Sequence, residues 1–397
     1  MRFTTSIHTH RLAPLAAVAT GALLVLFSAR PAAAQDWQLG AVLDVAASSR
    51  ALALGQREQG LALGHSDVTA RGGLGSLFGA QVTVAAHQHD GKVEAELEEA
   101  WLETRTLPFG LQARFGRFAS QIGAINAQHP HADDFVERPL LYRAFLGSHW
   151  FDDGLRLNWT APTPIYLMLG AEVFRGRQLI PEAESSRSPG AIALSLKTGA
   201  DIGRSHSWQV GAAWVDNRRV AAHDHEEEHE EEHGEEEHEE HEEEGHDHHD
   251  HAHGAEYSGG RMWLLDATWK WAPDGNNRER QLRVTAEFAR ITDLGEHATG
   301  GDRHQAAALS VVWRFDPAWE VGVRTDWLRV RMPHEDHFHD GRLREHAVML
   351  AWKPTHGQTL RLQATTQRNA EGIEDAQRRS VQLQYVLSFG AHGAHTF

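Results

Sequence analysis

Period-two alternation runs through most of this chain, and it leaves few folds open. Leu282, Val284, Ala286 and Phe288 alternate with Arg283, Thr285 and Glu287. Trp319, Val321 and Val323 alternate with Glu320, Gly322 and Arg324, and Leu360, Leu362 and Ala364 with Arg361, Gln363 and Thr365. Val381, Leu383, Tyr385, Leu387 and Phe389 repeat the pattern against Gln382, Gln384 and Ser388. In an extended strand neighbouring side chains point to opposite faces, so each segment has one apolar and one polar face. Helical spacing is scarce. Such strands suit a soluble sandwich with apolar faces inward, or a membrane barrel with apolar faces toward lipid.

Three features favour the barrel. The segments run to about ten residues, enough to cross a bilayer at a tilt of ~45°. Tryptophans such as Trp208, Trp271, Trp319 and Trp352 sit near segment ends, as in an interfacial girdle. The polar faces are rich in Arg, Glu and Gln, which suits a wet lumen. Strands are expected near 37–47, 61–71, 76–86, 92–104, 111–119, 154–160, 164–174, 190–201, 206–217, 261–271, 281–292, 303–315, 318–331, 342–352, 359–367 and 378–389. That makes sixteen, an even number, as single-chain bacterial barrels require. The expected fold is therefore all-β, a transmembrane antiparallel barrel of about sixteen strands with long external loops. Connections after even strands are short and those after odd strands include the long ones, the asymmetry of periplasmic turns and external loops.

The first residues read as a secretory signal over 1–34. Arg2 and Arg11 supply positive charge, Leu15 to Phe27 is a short apolar run, and Ala32-Ala33-Ala34 offers a cleavage site. The barrel would then occupy 35–397 and lie in the outer membrane, in contact with its lipid.

The loop between the ninth and tenth expected strands, 218–260, is the compositional outlier. From His223 to His253 it holds eleven His and seventeen Asp or Glu, with no Lys, Arg or large apolar residue. It cannot build a core, and a solvated, disordered acidic spacer is its simplest reading. The chain's net charge of −17 is this tract's alone, because the rest sums to zero. No basic footprint for nucleic acid remains. With no cysteine in the chain, a metal site must use imidazole and carboxylate, a set that suits Zn²⁺ and also Ni²⁺, Co²⁺ and Cu²⁺. The candidate ligands of the tract are His225, His229, His233, His238, His241, His246, His248, His249, His251 and His253. "HEEEH" occurs twice here and matches the zinc-protease motif H-E-x-x-H, but without the helix, third ligand and cleft that chemistry needs. No catalytic residue is assigned.

Further His clusters fall in connections on the same side: His87 and His89, then His129 and His131 with Asp133 and Asp134, then His334, His337 and His339. His392 and His395 follow the last strand. Facing the lumen, Arg114, Arg156, Arg283, Arg324 and Arg361 accompany Glu287, Glu320 and Asp326. These are either internal ion pairs or a charge bias on a pore.

The stretch "RFGRFASQIGAINAQHPHADDFVERPLLYRAFLG", Arg114 to Gly147, resembles a family of His-rich bacterial outer-membrane barrels labelled zinc-regulated TonB-dependent outer-membrane receptors. It is more distantly similar to phosphate-selective porins. "DDGLRLNWTAPTPIYLMLGAEVFRG" and the ending "YVLSFGAHGAHTF" continue the likeness. The resemblance implies an outer-membrane barrel linked to zinc. By motif match it makes His129, His131 and Asp133 candidate ligands or constriction residues, although the family has Trp where Asp133 stands.

TonB coupling is not expected, because sixteen strands use nearly the whole chain and no plug-sized segment precedes Trp37. A homotrimer is what porin analogy implies. The expected function is porin-like diffusion of a divalent metal, zinc foremost, captured by the external loops, with no tightly bound cofactor. The rivals are a general or anion-selective porin and a TonB-dependent metal receptor.

Overall fold

In the computed structural model, residues 37–176, 179, 189–218, 255–295, 298–334, 337–373 and 378–390 are described. The expected signal at 1–34, the ten tract histidines from His225 to His253, and His392 and His395 lie outside them. Sixteen antiparallel strands follow one another around a closed barrel. They are β1 (Gln38–Ser48), β2 (Gly60–Leu63 continued by Ser66–Leu74), β3 (Phe78–His89), β4 (Lys92–Thr104), β5 (Leu111–Ala119), β6 (Phe151–Thr160), β7 (Tyr166–Phe174) and β8 (Ala191–Ile202). The second half is β9 (His206–Asn217), β10 (Arg261–Trp271), β11 (Gln281–Thr292), β12 (His304–Asp316), β13 (Trp319–His334), β14 (His337–Thr355), β15 (Gln358–Glu371) and β16 (Arg379–Gly390). Each strand pairs with its sequence neighbours, and β16 closes on β1 from Gly40↔Gly390 to Ser48↔Gln382. The expected all-β class and strand number hold.

The alternation explains which way each strand faces. In β16, Val381, Leu383 and Tyr385 are exposed while Ser380, Gln382 and Gln384 are buried. In β10, Trp263 and Leu265 are exposed while Asp266 and Thr268 are buried. This is a soluble protein's pattern turned inside out, and burial of such an apolar exterior requires lipid.

The strands at the long-loop end are taller than alternation alone suggests. β13 and β14 form a hairpin whose backbone pairing reaches His334↔His337. His334 and His337 thus extend the ladder, and His339 is exposed beside them. His87 and His89 likewise belong to β3 rather than to a loop.

The connection between β5 and β6, residues 120–150, turns into the barrel and fills part of the lumen. It carries a short helix, α1 (Leu140–Leu146), every residue of which is buried. Leu140, Leu141, Phe145 and Leu146 join Ala306, Ala308, Leu328 and Val330 of the inner wall in one apolar cluster. Burying these side chains anchors the segment, at about 1.5–3 kcal/mol for each large one.

The lumenal charges fasten the rest. Arg143 reaches Glu345 at 2.6 Å, and Arg324 reaches the same carboxylate at 2.6 Å. Arg283 pairs with Asp134, Arg361 donates to the Asp133 carbonyl at 2.5 Å, and the Tyr142 hydroxyl donates to Glu287. Arg156 pairs with Glu172 at 2.6 Å and Arg114 with Glu103 at 2.5 Å. Arg114, Arg156, Arg283 and Arg324 are thus ion-paired, whereas Arg361 donates to Gln384 and to a backbone carbonyl.

Candidate metal centre

Two irregularities in the wall build the site. Between Val45↔Leu63 and Val42↔Asp67, three residues of β2 (Gly64, His65 and Ser66) face two of β1. Between Thr83↔Glu99 and Val84↔Leu97, Glu98 has no partner in β3. Each is a β-bulge, and a bulge shifts which face the following side chains use. In β4, Glu94, Glu96 and Glu98 point inward on even positions, and after the bulge Glu99 and Trp101 do so on odd ones. Adjacent Glu98 and Glu99 therefore both enter the lumen. In β2 the extra residue lets His65 and Asp67 do the same, and both are buried.

The inserted segment supplies the opposite side. Pro130 opens a single 3-10 turn that separates His129 from His131, and their rings stack at 5.6 Å between centroids. Further along, α1 ends on Gly147 in the left-handed conformation, and Ser148 follows with φ of 84°. A positive φ at a non-glycine residue is strained, and here it precedes His149, which it turns toward the wall.

The two sides converge on Glu98. His65 Nε2 and His129 Nδ1 are 3.1 Å apart, and each is 3.2 Å from Glu98 Oε2. Asp67 Oδ2 lies 3.8 Å from His129 Nδ1 and 3.1 Å from His131 Nδ1. His149 Nε2 is 3.1 Å from the other oxygen, Glu98 Oε1. Both Glu98 oxygens and Asp67 Oδ2 are buried without an aligned hydrogen bond. Close approach without N–H···O alignment is how ligand atoms sit around a shared centre. Atoms about 2.0–2.1 Å from a tetrahedral zinc ion stand roughly 3.3 Å from one another. The His65–His129–Glu98 triangle, with sides of 3.1, 3.2 and 3.2 Å, fits that edge.

Glu99 orients the central imidazole. It accepts from Thr83 Oγ1 at 3.2 Å and Trp101 Nε1 at 3.3 Å, and it lies 3.4 Å from His129 Nε2. A proton held on Nε2 by this carboxylate directs Nδ1 at the cluster, where a metal ion would have to displace the proton that Glu98 favours there, and such a carboxylate is the usual support for a metal-ligating His. Burial pushes the His149 ring down to about 3, despite Glu98, so it stays neutral. Burial likewise lowers His131, with Asp67 offsetting part of the effect. Burial opposes charge on His129 too, but Glu98 and Glu99 outweigh it and hold that ring well above its ordinary value.

Of the residues singled out from sequence, the structure brings His129 and His131 into the cluster. Asp133 faces elsewhere: it accepts from Arg138 Nε at 2.7 Å and from Gln128 Nε2 at 2.7 Å. Burial raises its carboxyl, and Arg138 offsets part of that rise. His339 stays on the outer hairpin. Sequence reasoning did not find His65, Asp67, Glu98, Glu99 or His149. One signal was available, the Glu98-Glu99 pair, which breaks the inward Glu94, Glu96, Glu98 alternation.

No protein-family model matches the chain. An Aquifex aeolicus protein described as uncharacterized is 28% identical over 327 residues, 76% of this chain. This chain spans 63% of that relative's length. Among solved structures, it is similar to OprB of Pseudomonas putida at high pH, with a TM-score of 0.54, 11% identity, and 89% and 94% of the two chains covered. The outer-membrane channel DcaP of Acinetobacter baumannii gives a TM-score of 0.52 and 11% identity, over 89% and 96%. The anion-selective porin from Comamonas acidovorans gives 0.52 and 10%, over 90% and 99%. At these identities the likeness concerns the fold, and the chain has the closed antiparallel barrel of outer-membrane porins.

Proposed function

We propose that the protein is a porin-type channel of the outer membrane that admits divalent transition-metal ions, zinc foremost, and catalyses no reaction. The observation that carries this reading is the His65–Glu98–His129 triangle inside the barrel, between wall and inserted segment, with His65 and Glu98 buried and His129 half-buried. Its mixture of imidazole and carboxylate suits zinc and its neighbours, whereas calcium and magnesium prefer oxygen ligands alone. The segment is fixed by pairs such as Arg143–Glu345 at 2.6 Å, so the ligands are preorganised rather than gathered by the ion.

The ion is cargo in this scheme. The tract 223–253 joins the long-loop ends of β9 and β10, and concentrates cations there through charge and weak multidentate ligation. The lumenal cluster then discriminates among them. Reconstitution in proteoliposomes tests the reading: zinc influx should exceed that of magnesium at equal gradient. Equal influx of both, with strong chloride permeability, would favour a general or anion-selective porin.

A further inference from the structure

Glu98 is 1% exposed, yet its two oxygens serve different neighbours. Oε2 faces His65 Nε2 and His129 Nδ1, each at 3.2 Å. Oε1 faces His149 Nε2 at 3.1 Å. Asp67 stands beside the first group, with Oδ2 3.8 Å from His129 Nδ1. Ligand atoms of His65, Asp67 and His129 fall within 4.8 Å of one another, and so do those of His65, Glu98 and His149. The two ligand sets share His65, and Glu98 turns one oxygen to His65 and His129 and the other to His149. A single tetrahedral ion at the His65–His129–Glu98 triangle would use Oε2 and leave Oε1 and His149 without a role.

Resting on the metal-channel reading, we propose that the cluster is a two-ion centre bridged by Glu98. The first station consists of His65, His129, Asp67 and Glu98 Oε2. The second consists of Glu98 Oε1 and His149, its remaining positions completed by water. Asp67, Glu98 and Glu99 offset much of the charge of two dications. The stations differ in ligand number, so the first holds its ion more tightly. A shared carboxylate lets an ion move between them without losing contact with the protein. Permeation through a binding pore requires this combination of attraction and adjacent release.

Equilibrium dialysis of the full chain in a chelator-buffered zinc solution counts the retained ions. His129→Ala should lower the count by one ion per chain, His149→Ala by one, and Glu98→Gln by two, with His339→Ala on the outer hairpin unchanged. A count unaltered in His149→Ala, with one ion lost in both other variants, would establish a one-ion centre and overturn the proposal while leaving the channel reading intact. No loss in any variant would overturn both. A second measurement needs no variant: loaded with Co²⁺, the unaltered protein should show exchange coupling between carboxylate-bridged ions in its magnetic susceptibility. Buried Co²⁺ that titrates as uncoupled centres throughout would also overturn the proposal.

Discussion

His65 Nε2 and His129 Nδ1 face each other at 3.1 Å across 64 residues of sequence, one on the barrel wall and the other on the inserted segment. Two ring nitrogens can share one proton, and here a third atom, Glu98 Oε2, completes the triangle. The wall contributes its ligands through bulges, and the segment contributes its own through a proline turn. Neither side has a site alone.

The orienting carboxylate gives the first prediction. Glu99→Gln keeps the shape but weakens the hold on His129 Nε2. Loss of a supporting group of this kind costs about 10–100-fold in metal affinity. Competition against a fluorescent zinc chelator measures it, and an affinity within twofold of the unaltered protein would show that Glu99 does not orient the ligand.

The anchoring of the segment gives the second. Glu345 is fully buried and meets both Arg143 and Arg324 at 2.6 Å. Glu345→Ala would leave two buried guanidinium groups without that partner, a loss of about 3–5 kcal/mol. Denaturant unfolding in detergent should show the drop. A variant as stable as the parent would mean that the apolar packing of α1 alone fixes the segment.

The inward face of β4 gives the third. Glu94 and Glu96 precede Glu98 at period-two spacing from the long-loop end of the barrel, so they line the approach to the cluster. Replacing both by Gln should slow zinc association, most clearly at low ionic strength, and leave equilibrium affinity nearly unchanged. Stopped-flow quenching of a zinc indicator separates rate from affinity. Equal loss in both would place these carboxylates in the binding set itself.

The external tract gives the fourth. Removing residues 223–253 should reduce zinc uptake when zinc is scarce and leave permeation of a neutral sugar intact. Unchanged uptake at every zinc concentration would remove the capture role.

How much of this was legible in the sequence follows from what period two can encode. Val381, Gln382, Leu383 and Gln384 announce both a strand and its two faces, so the barrel and its strand number could be read directly. The centre depends on positions where that period fails. His65 follows Gly64 in a bulge, and Glu98 is the unpaired residue of another, so their inward direction depends on cross-strand register. His149 takes its direction from the strained turn at Ser148. His129 and His131 were found because "HPH" stands out. Asp133 shared that motif, but the adjacent Arg138 holds it 2.7 Å away on its own side.

The most direct test is zinc flux into liposomes carrying the unaltered protein or a His65→Ala/His129→Ala variant, with a neutral sugar as reference. The variant should lose its preference for zinc over magnesium while sugar permeation stays within about twofold, since loss of each ligand should cost at least about tenfold in metal affinity. Zinc flux and selectivity equal to those of the unaltered protein would contradict it.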